Sequence, residues 1–189
     1  MKHILLSLFL VLLVNAQSGA NKPSGQDSAA AKKADAKLHA DSVKLVEVSG
    51  VKQRIVDNLK PMMDESRKQM TEKCPACTPA FAEEWEKRML ERIKVDDFLD
   101  VYVRVYEKYF TDEEIRELIE LQSGKKESGA AEPSPALKEK LKAVMPSAMG
   151  DSVGGCAQVG AKLGAEVGAE IEKEHPEYIK VKSKDDSPK

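Results

Sequence analysis

Apolar residues recur at helical spacing from residue 38 to residue 171, and no stretch alternates with the period of two that marks a strand. Leu38, Leu45, Val46 and Val48 predict a short helix that stops at Gly50, a residue suited to the left-handed conformation at helix ends. Val51, Ile55, Leu59, Met62, Met63 and Met70 predict the next helix, towards residue 71, with a kink or break at Pro61. Thr78 and Pro79 suit an N-cap and a first helical position. They open a helix with Phe81, Trp85, Met89, Leu90 and Ile93 on its apolar face. Asp96 is the expected cap of a fourth, which carries Phe98, Leu99, Val101, Tyr102, Val105, Tyr106 and Tyr109.

The sharpest local signal is the corner that follows. Thr111 is a good N-cap and Glu114 stands three residues later, the spelling of a capping box. Phe110 and Ile115 occupy the two positions of a hydrophobic staple around it. Asp112, Glu113 and Glu114 place negative charge at the positive end of the new helix dipole. That helix is expected to end near Gly124. Residues 124–135 read as a polar loop, and Ser134-Pro135 restarts a helix with Leu137, Leu141 and Val144 inward. Pro146 is expected to kink or divide it. The last segment, from Ser147 to about Glu174, carries Val153, Cys156, Gly160, Leu163, Val167 and Ile171 on one stripe. The fold class is all-α: a single-domain bundle of about five to seven helices over residues 35–178.

The chain begins differently. Lys2 and His3 precede Ile4–Val14, an apolar run too short to span a bilayer comfortably, and Val14-Asn15-Ala16 offers small or compact residues for cleavage. Residues 1–16 are read as a signal peptide, with Ala20 as the alternative cleavage point. The expected compartment is therefore exported, periplasmic or secreted. Residues 17–34 are rich in Ser, Ala, Gly, Lys and Asn, contain no large apolar residue, and read as a disordered linker. Residues 179–189 read as a polar, disordered tail.

The 30 basic residues nearly balance the 32 acidic ones, so no large single-sign field exists to attract nucleic acid. With only three histidines, the usual general-base and zinc chemistries lack their main residue. No phosphate loop, HExxH or calcium-loop spelling occurs. No catalytic residue, metal ligand or cofactor is expected.

Tyr106-Glu107-Lys108-Tyr109-Phe110-Thr111-Asp112-Glu113-Glu114-Ile115 resembles the signature of the domain-of-unknown-function 2059 family, a group of exported bacterial helical proteins. The resemblance covers about residues 95–168, with 45–63 matching more loosely. It implies an exported helical domain and carries over no activity and no catalytic residue. The family follows this helix with an aromatic pair and a Ser-Pro-x-Gly-x-Lys turn. This chain has Leu121-Gln122 and Ser123-Gly124-Lys125-Lys126, and the stretch to Pro135 looks inserted.

Three features could carry chemistry. Cys74-x-x-Cys77 has redox spelling, but no βαβ pattern accompanies it, and in an exported protein a local structural disulfide is the simpler account. Cys156 is left over and could pair with either. Gly160, Gly164 and Gly168, interleaved with Ala157, Ala161, Ala165 and Ala169, make a narrow face for close helix packing, within the domain or against a second copy. Phe98, Tyr102, Tyr106 and Tyr109 could line a pocket, although their spacing is also that of a core stripe. The expected function is a non-enzymatic interaction or structural role in the bacterial envelope, with an unidentified protein partner. The alternative is a thiol-disulfide protein acting through Cys74 and Cys77.

Overall fold

The structure, a computed structural model, describes residues 25–123 and 132–179. The stretch read as a signal peptide, the first part of the stretch read as linker, most of the polar loop and residues 180–189 lie outside the described residues. Six α-helices follow one another: α1 (Gly25–Val48), α2 (Val51–Lys73), α3 (Pro79–Arg92), α4 (Val95–Tyr109), α5 (Asp112–Gln122) and α6 (Pro135–Glu174). A short 3-10 turn, Pro176–Tyr178, closes the described chain. Among the described residues there is no strand, only an isolated bridge between Cys77 and Ile179. The all-α class read from the periodicity is the class observed.

Helix α1 starts at Gly25, inside the stretch read as linker. Its first turns are rich in Ala and Lys, strong helix formers, so a helix anchored further along extends through them, and residues 32–37 are exposed. Gly50, at φ 69°, takes the left-handed bend between α1 and α2. Neither proline breaks its helix. Pro61 lies within α2 and Pro146 within α6, both exposed, so the carbonyl each leaves unpaired faces water. Asp96 does not cap α4. The cap position is Lys94, with no side-chain bond, and Asp96 sits in the first turn where its charge faces the helix dipole.

The other expected ends hold. Thr78 Oγ1 accepts from the Phe81 N–H at 3.2 Å, with Pro79 opening α3. Both halves of the capping box form: Thr111 Oγ1 accepts from the Glu114 N–H, and Glu114 Oε2 accepts from the Thr111 N–H at 2.8 Å. Phe110 and Ile115 are buried in one cluster beside it. Ser134 caps α6 through the Leu137 N–H. Glu117 accepts from the Ser134 N–H at 2.5 Å and from its Oγ at 3.0 Å, tying α5 to the start of α6.

Helix α6 has 40 residues and is about 60 Å long at 1.5 Å per residue. It joins two apolar clusters. Near its start, Leu137 packs with Leu45, Phe110, Ile115 and Ile119. Near its end, Val167 and Ile171 pack with Met63, Phe81 and Met89. The stripe it buries differs from the predicted one. Ala148, Val167 and Ile171 are buried, and Gly155 and Gly164 are in close contact, whereas Val153 is 69% exposed and a Cβ at Gly160 would meet nothing within 4 Å. Residues 153, 160 and 167 repeat by seven, and on a straight helix such a series rotates by about 20° per repeat. Anchored at Val167, it turns outward by Gly160 and further by Val153.

Of the three glycines expected in close packing, Gly164 fits best. A Cβ there would stand 3.1 Å from Trp85 Cζ2, and Trp85 Nε1 donates to the Gly164 carbonyl at 3.0 Å. Gly168 sits at ordinary contact distance from Phe81. The tightest approach is at Gly155, which was not singled out: a Cβ there would lie 2.5 Å from Val101 Cγ1.

Candidate functional site

The aromatic series on α4 divides in the structure. Tyr109 turns to α6 and donates to Asp151 Oδ2 at 2.8 Å, and Lys108 holds the same oxygen at 2.6 Å. The two partners, Lys108 first, keep the Asp151 carboxyl below its usual range. Phe98 lies in a depression whose rim carries Arg92, Lys94, Asp97, Arg104, Lys162 and Glu166, charges of both signs. Tyr102 and Tyr106 line a different hollow, and that hollow has no charged wall.

It is a groove of about 530 Å³ between the end of α1, one face of α4, α5 and the first half of α6. Leu45, Val105, Phe110, Leu118, Leu141 and Ala148 form its floor and sides, and Ser49, Gln122 and Ser152 supply its few polar atoms. Met145, Met149 and Val153 stand along the rim at 42%, 60% and 69% exposure. They are spaced by four on α6, so they form one continuous apolar edge. Burial pushes the Tyr102 and Tyr106 hydroxyls above their ordinary pKa, with the nearby Arg54 working the other way. Both are neutral hydrogen-bonding groups at physiological pH.

The rim was legible only in part. Leu141 was assigned to the core, and Val153 to the buried stripe. Met145 and Met149, which flank Pro146 and its neighbours, were not singled out. The signal that finds them is the i, i+4, i+8 apolar series 145, 149, 153, lying off the face that carries Leu137, Ala148, Val167 and Ile171.

Cys156 is a free thiol beside the Tyr102 hydroxyl, and burial pushes it up, away from the thiolate form that reacts. Cys74 and Cys77 form a disulfide. It spans the corner between α2 and α3. Cys77 packs on the cluster of Phe81, Met89 and Ile171, while the Thr78 N–H donates to the Tyr178 carbonyl at 3.0 Å. Cys77 precedes the N-cap Thr78 by one residue, and Cys74 lies further from the helix.

Among the described residues, no helix is long and apolar enough to cross a membrane, and no group of three or more His, Cys, Asp or Glu side chains is placed to hold a metal ion. No protein-family model matches the chain, and no curated protein or solved structure does either.

Proposed function

We propose that this chain is an exported, non-enzymatic binding protein of the bacterial envelope, and that its working surface is the groove lined by Tyr102, Tyr106, Leu141, Met145 and Met149. The observation that carries this reading is the exposed apolar rim of Met145, Met149 and Val153 beside walls without charge. In a chain with 33% charged residues, an uncharged hollow with bare methionines at its edge is where an apolar partner fits. Methionine side chains adapt their shape to what they meet. Export rests on the apolar run Ile4–Val14 followed by Val14-Asn15-Ala16. The resemblance of Tyr106–Ile115 to the domain-of-unknown-function 2059 family supports the same compartment.

The neutral dye N-phenyl-1-naphthylamine tests the groove. Its fluorescence should rise with the wild-type protein and fall to background with Met149→Glu, an exposed change that leaves the fold intact. A dye signal that ignores Met149 sinks the reading. N-terminal sequencing of the native protein tests export: a chain beginning at Gln17 supports it, and an intact Met1 in a cytosolic fraction refutes it.

The second reading is thiol-disulfide exchange through Cys74 and Cys77, favoured by their bond and their place just before α3. A structural staple accounts better for Cys77 packed into an apolar cluster. Redox titration separates them, since structural disulfides of exported proteins lie below about −300 mV and catalytic ones above.

A further inference from the structure

An occupant of the groove must suit walls without charge and whatever stands at their ends. The volume, about 530 Å³, lies within the range of small-molecule sites, about 300–1,000 Å³. It is also close to that of a single helical turn with side chains, about 10–12 Å wide and 5.4 Å long. A partner helix would therefore leave most of its length outside, whereas a flexible alkyl chain fits whole.

At the end formed by Ser49 the chemistry changes. Arg54, in the first turn of α2, donates through Nη1 to the Ser49 carbonyl at 3.0 Å, which holds its guanidinium beside the groove. Arg67, Arg88, Arg92 and Arg116 each hold a carboxylate, whereas Arg54, like Arg104 on the charged depression elsewhere, forms no ion pair among the described residues. Its remaining N–H donors form a planar fork matched to a carboxylate. Ser49 and Tyr106 both line the groove at this end, and the Ser49 hydroxyl donates to the Val46 carbonyl at 2.9 Å. One unpaired cation therefore adjoins a trough with no other charge, and the complementary molecule has one anionic end and one apolar chain.

Resting on the reading of the groove as a binding surface, we propose that it takes a fatty acid. The alkyl chain lies along Val105, Phe110, Leu141 and Met149, and the carboxylate sits on Arg54 beside Ser49. The flexible rim of Met145 and Met149 folds over the chain, and Val153 bounds it.

Calorimetry and dye displacement on the delipidated full chain test this with three probes. Dodecanoate carries the expected head, dodecyltrimethylammonium carries the same chain with a cationic head, and N-phenyl-1-naphthylamine has no charge. Dodecanoate should bind below its micelle concentration, at least about tenfold more tightly than the cationic amphiphile. Arg54→Ala should weaken dodecanoate by about tenfold or more and leave the neutral dye unaffected. Met149→Glu should abolish both. Equal binding of the two amphiphiles, or dodecanoate binding indifferent to Arg54, overturns the fatty acid while a Met149-dependent dye signal keeps the groove. A dye signal that does not depend on Met149 brings down the groove reading itself. A dimer that Met149→Glu dissociates, with no dodecanoate bound, assigns the face to a second copy and overturns the proposal.

Discussion

The two ends of α6 each anchor an apolar cluster and finish differently. At the C-terminal end, Val167 and Ile171 are covered by α2 and α3, and the surface over them is laced shut. Arg88 pairs with Glu174 at 2.7 Å, Arg92 with Glu170 at 2.6 Å, Trp85 donates into the α6 backbone, and the disulfide pins the α2–α3 corner. At the N-terminal end, Leu137 is as well buried, but from two turns later Met145, Met149 and Val153 face solvent over the groove. Even the small residues are used differently. Gly164 lets Trp85 approach, while a Cβ at Gly150 or Gly154 would meet nothing within 4 Å. One helix thus serves as a core element along one half and as an unfinished surface along the other. The unfinished half is where binding should be sought.

The largest predicted effect breaks that contrast directly. Ile171→Ala, fully buried at the closed end, should cost about 2–5 kcal/mol. Val153→Ala, at the open end, should change stability by no more than about 0.5 kcal/mol and still weaken dye binding. Denaturant melts of the two variants measure both. A large loss from Val153→Ala would mean that the rim supports the fold.

Next comes the disulfide. In the chain-entropy account, the small ring closed by Cys74 and Cys77 contributes about 2 kcal/mol. Replacing both with Ser should lower stability by about that much and leave groove binding unchanged, since the bond belongs to the other cluster. Lost binding in a folded double variant would couple the two ends and raise the redox reading.

Neighbouring glycines give a sharper and smaller test. Gly154→Ala should stabilise by about 0.5–1 kcal/mol, because the side chain enters open space and the helix gains a better former. Gly155→Ala should have the opposite sign. Its Cβ would meet Val101, a buried β-branched residue with little rotamer freedom, and overpacking of about 1–3 kcal/mol outweighs the helical gain. Thermal melts of the two variants should move in opposite directions. Destabilisation by Gly154→Ala would show that something covers that face in solution.

These cases also mark how far the sequence could be read. Helix order, the Thr78 and Ser134 caps and the whole Thr111 corner were legible, because each depends on residues within four positions of one another. The Cys74–Cys77 bond was legible for the same reason. What failed needed a rotation summed over many residues. Val153 was placed inward, and Gly160 in contact, because a seven-residue step looks like one face over two turns and drifts off it over four. Gly155 and Met149 were missed because Val101 and Tyr106 approach them from a helix about forty to fifty residues earlier. The groove is made by four helices, and no local pattern encodes their meeting. The early start of α1 was missed for a different reason: lack of a buried face was taken to exclude a helix, but alanine-rich sequence extends one that is already anchored.

The smallest predicted effects lie at the corner that supports the open end. Glu114 joins two roles: it completes the capping box with Thr111, and it meets Lys140 Nζ of α6 at 2.5 Å. Thr111→Ala removes the cap and should cost about 0.5–2 kcal/mol. Glu114→Gln keeps a reciprocal acceptor for the Thr111 N–H and removes only the charge, so it should cost less, under about 1 kcal/mol for a pair that is partly exposed. Its signature is pH dependence. Burial works to raise the Glu114 carboxyl, but Lys140 and the Thr111 N–H outweigh it and hold it below 4.5, its ordinary value. A group depressed in the folded state binds its proton more readily when unfolded, so its contribution is present above the ordinary value and is lost as pH falls through the folded one. The stability gap between wild type and Glu114→Gln should therefore be constant from pH 7 down to about 5 and shrink below that. Urea melts at pH 7, 5 and 3 measure it. A gap that widened towards acid would mean that the charge at Glu114 opposes the fold, and the tie between α5 and α6 at the open end would then rest on Glu117 and Ser134 alone.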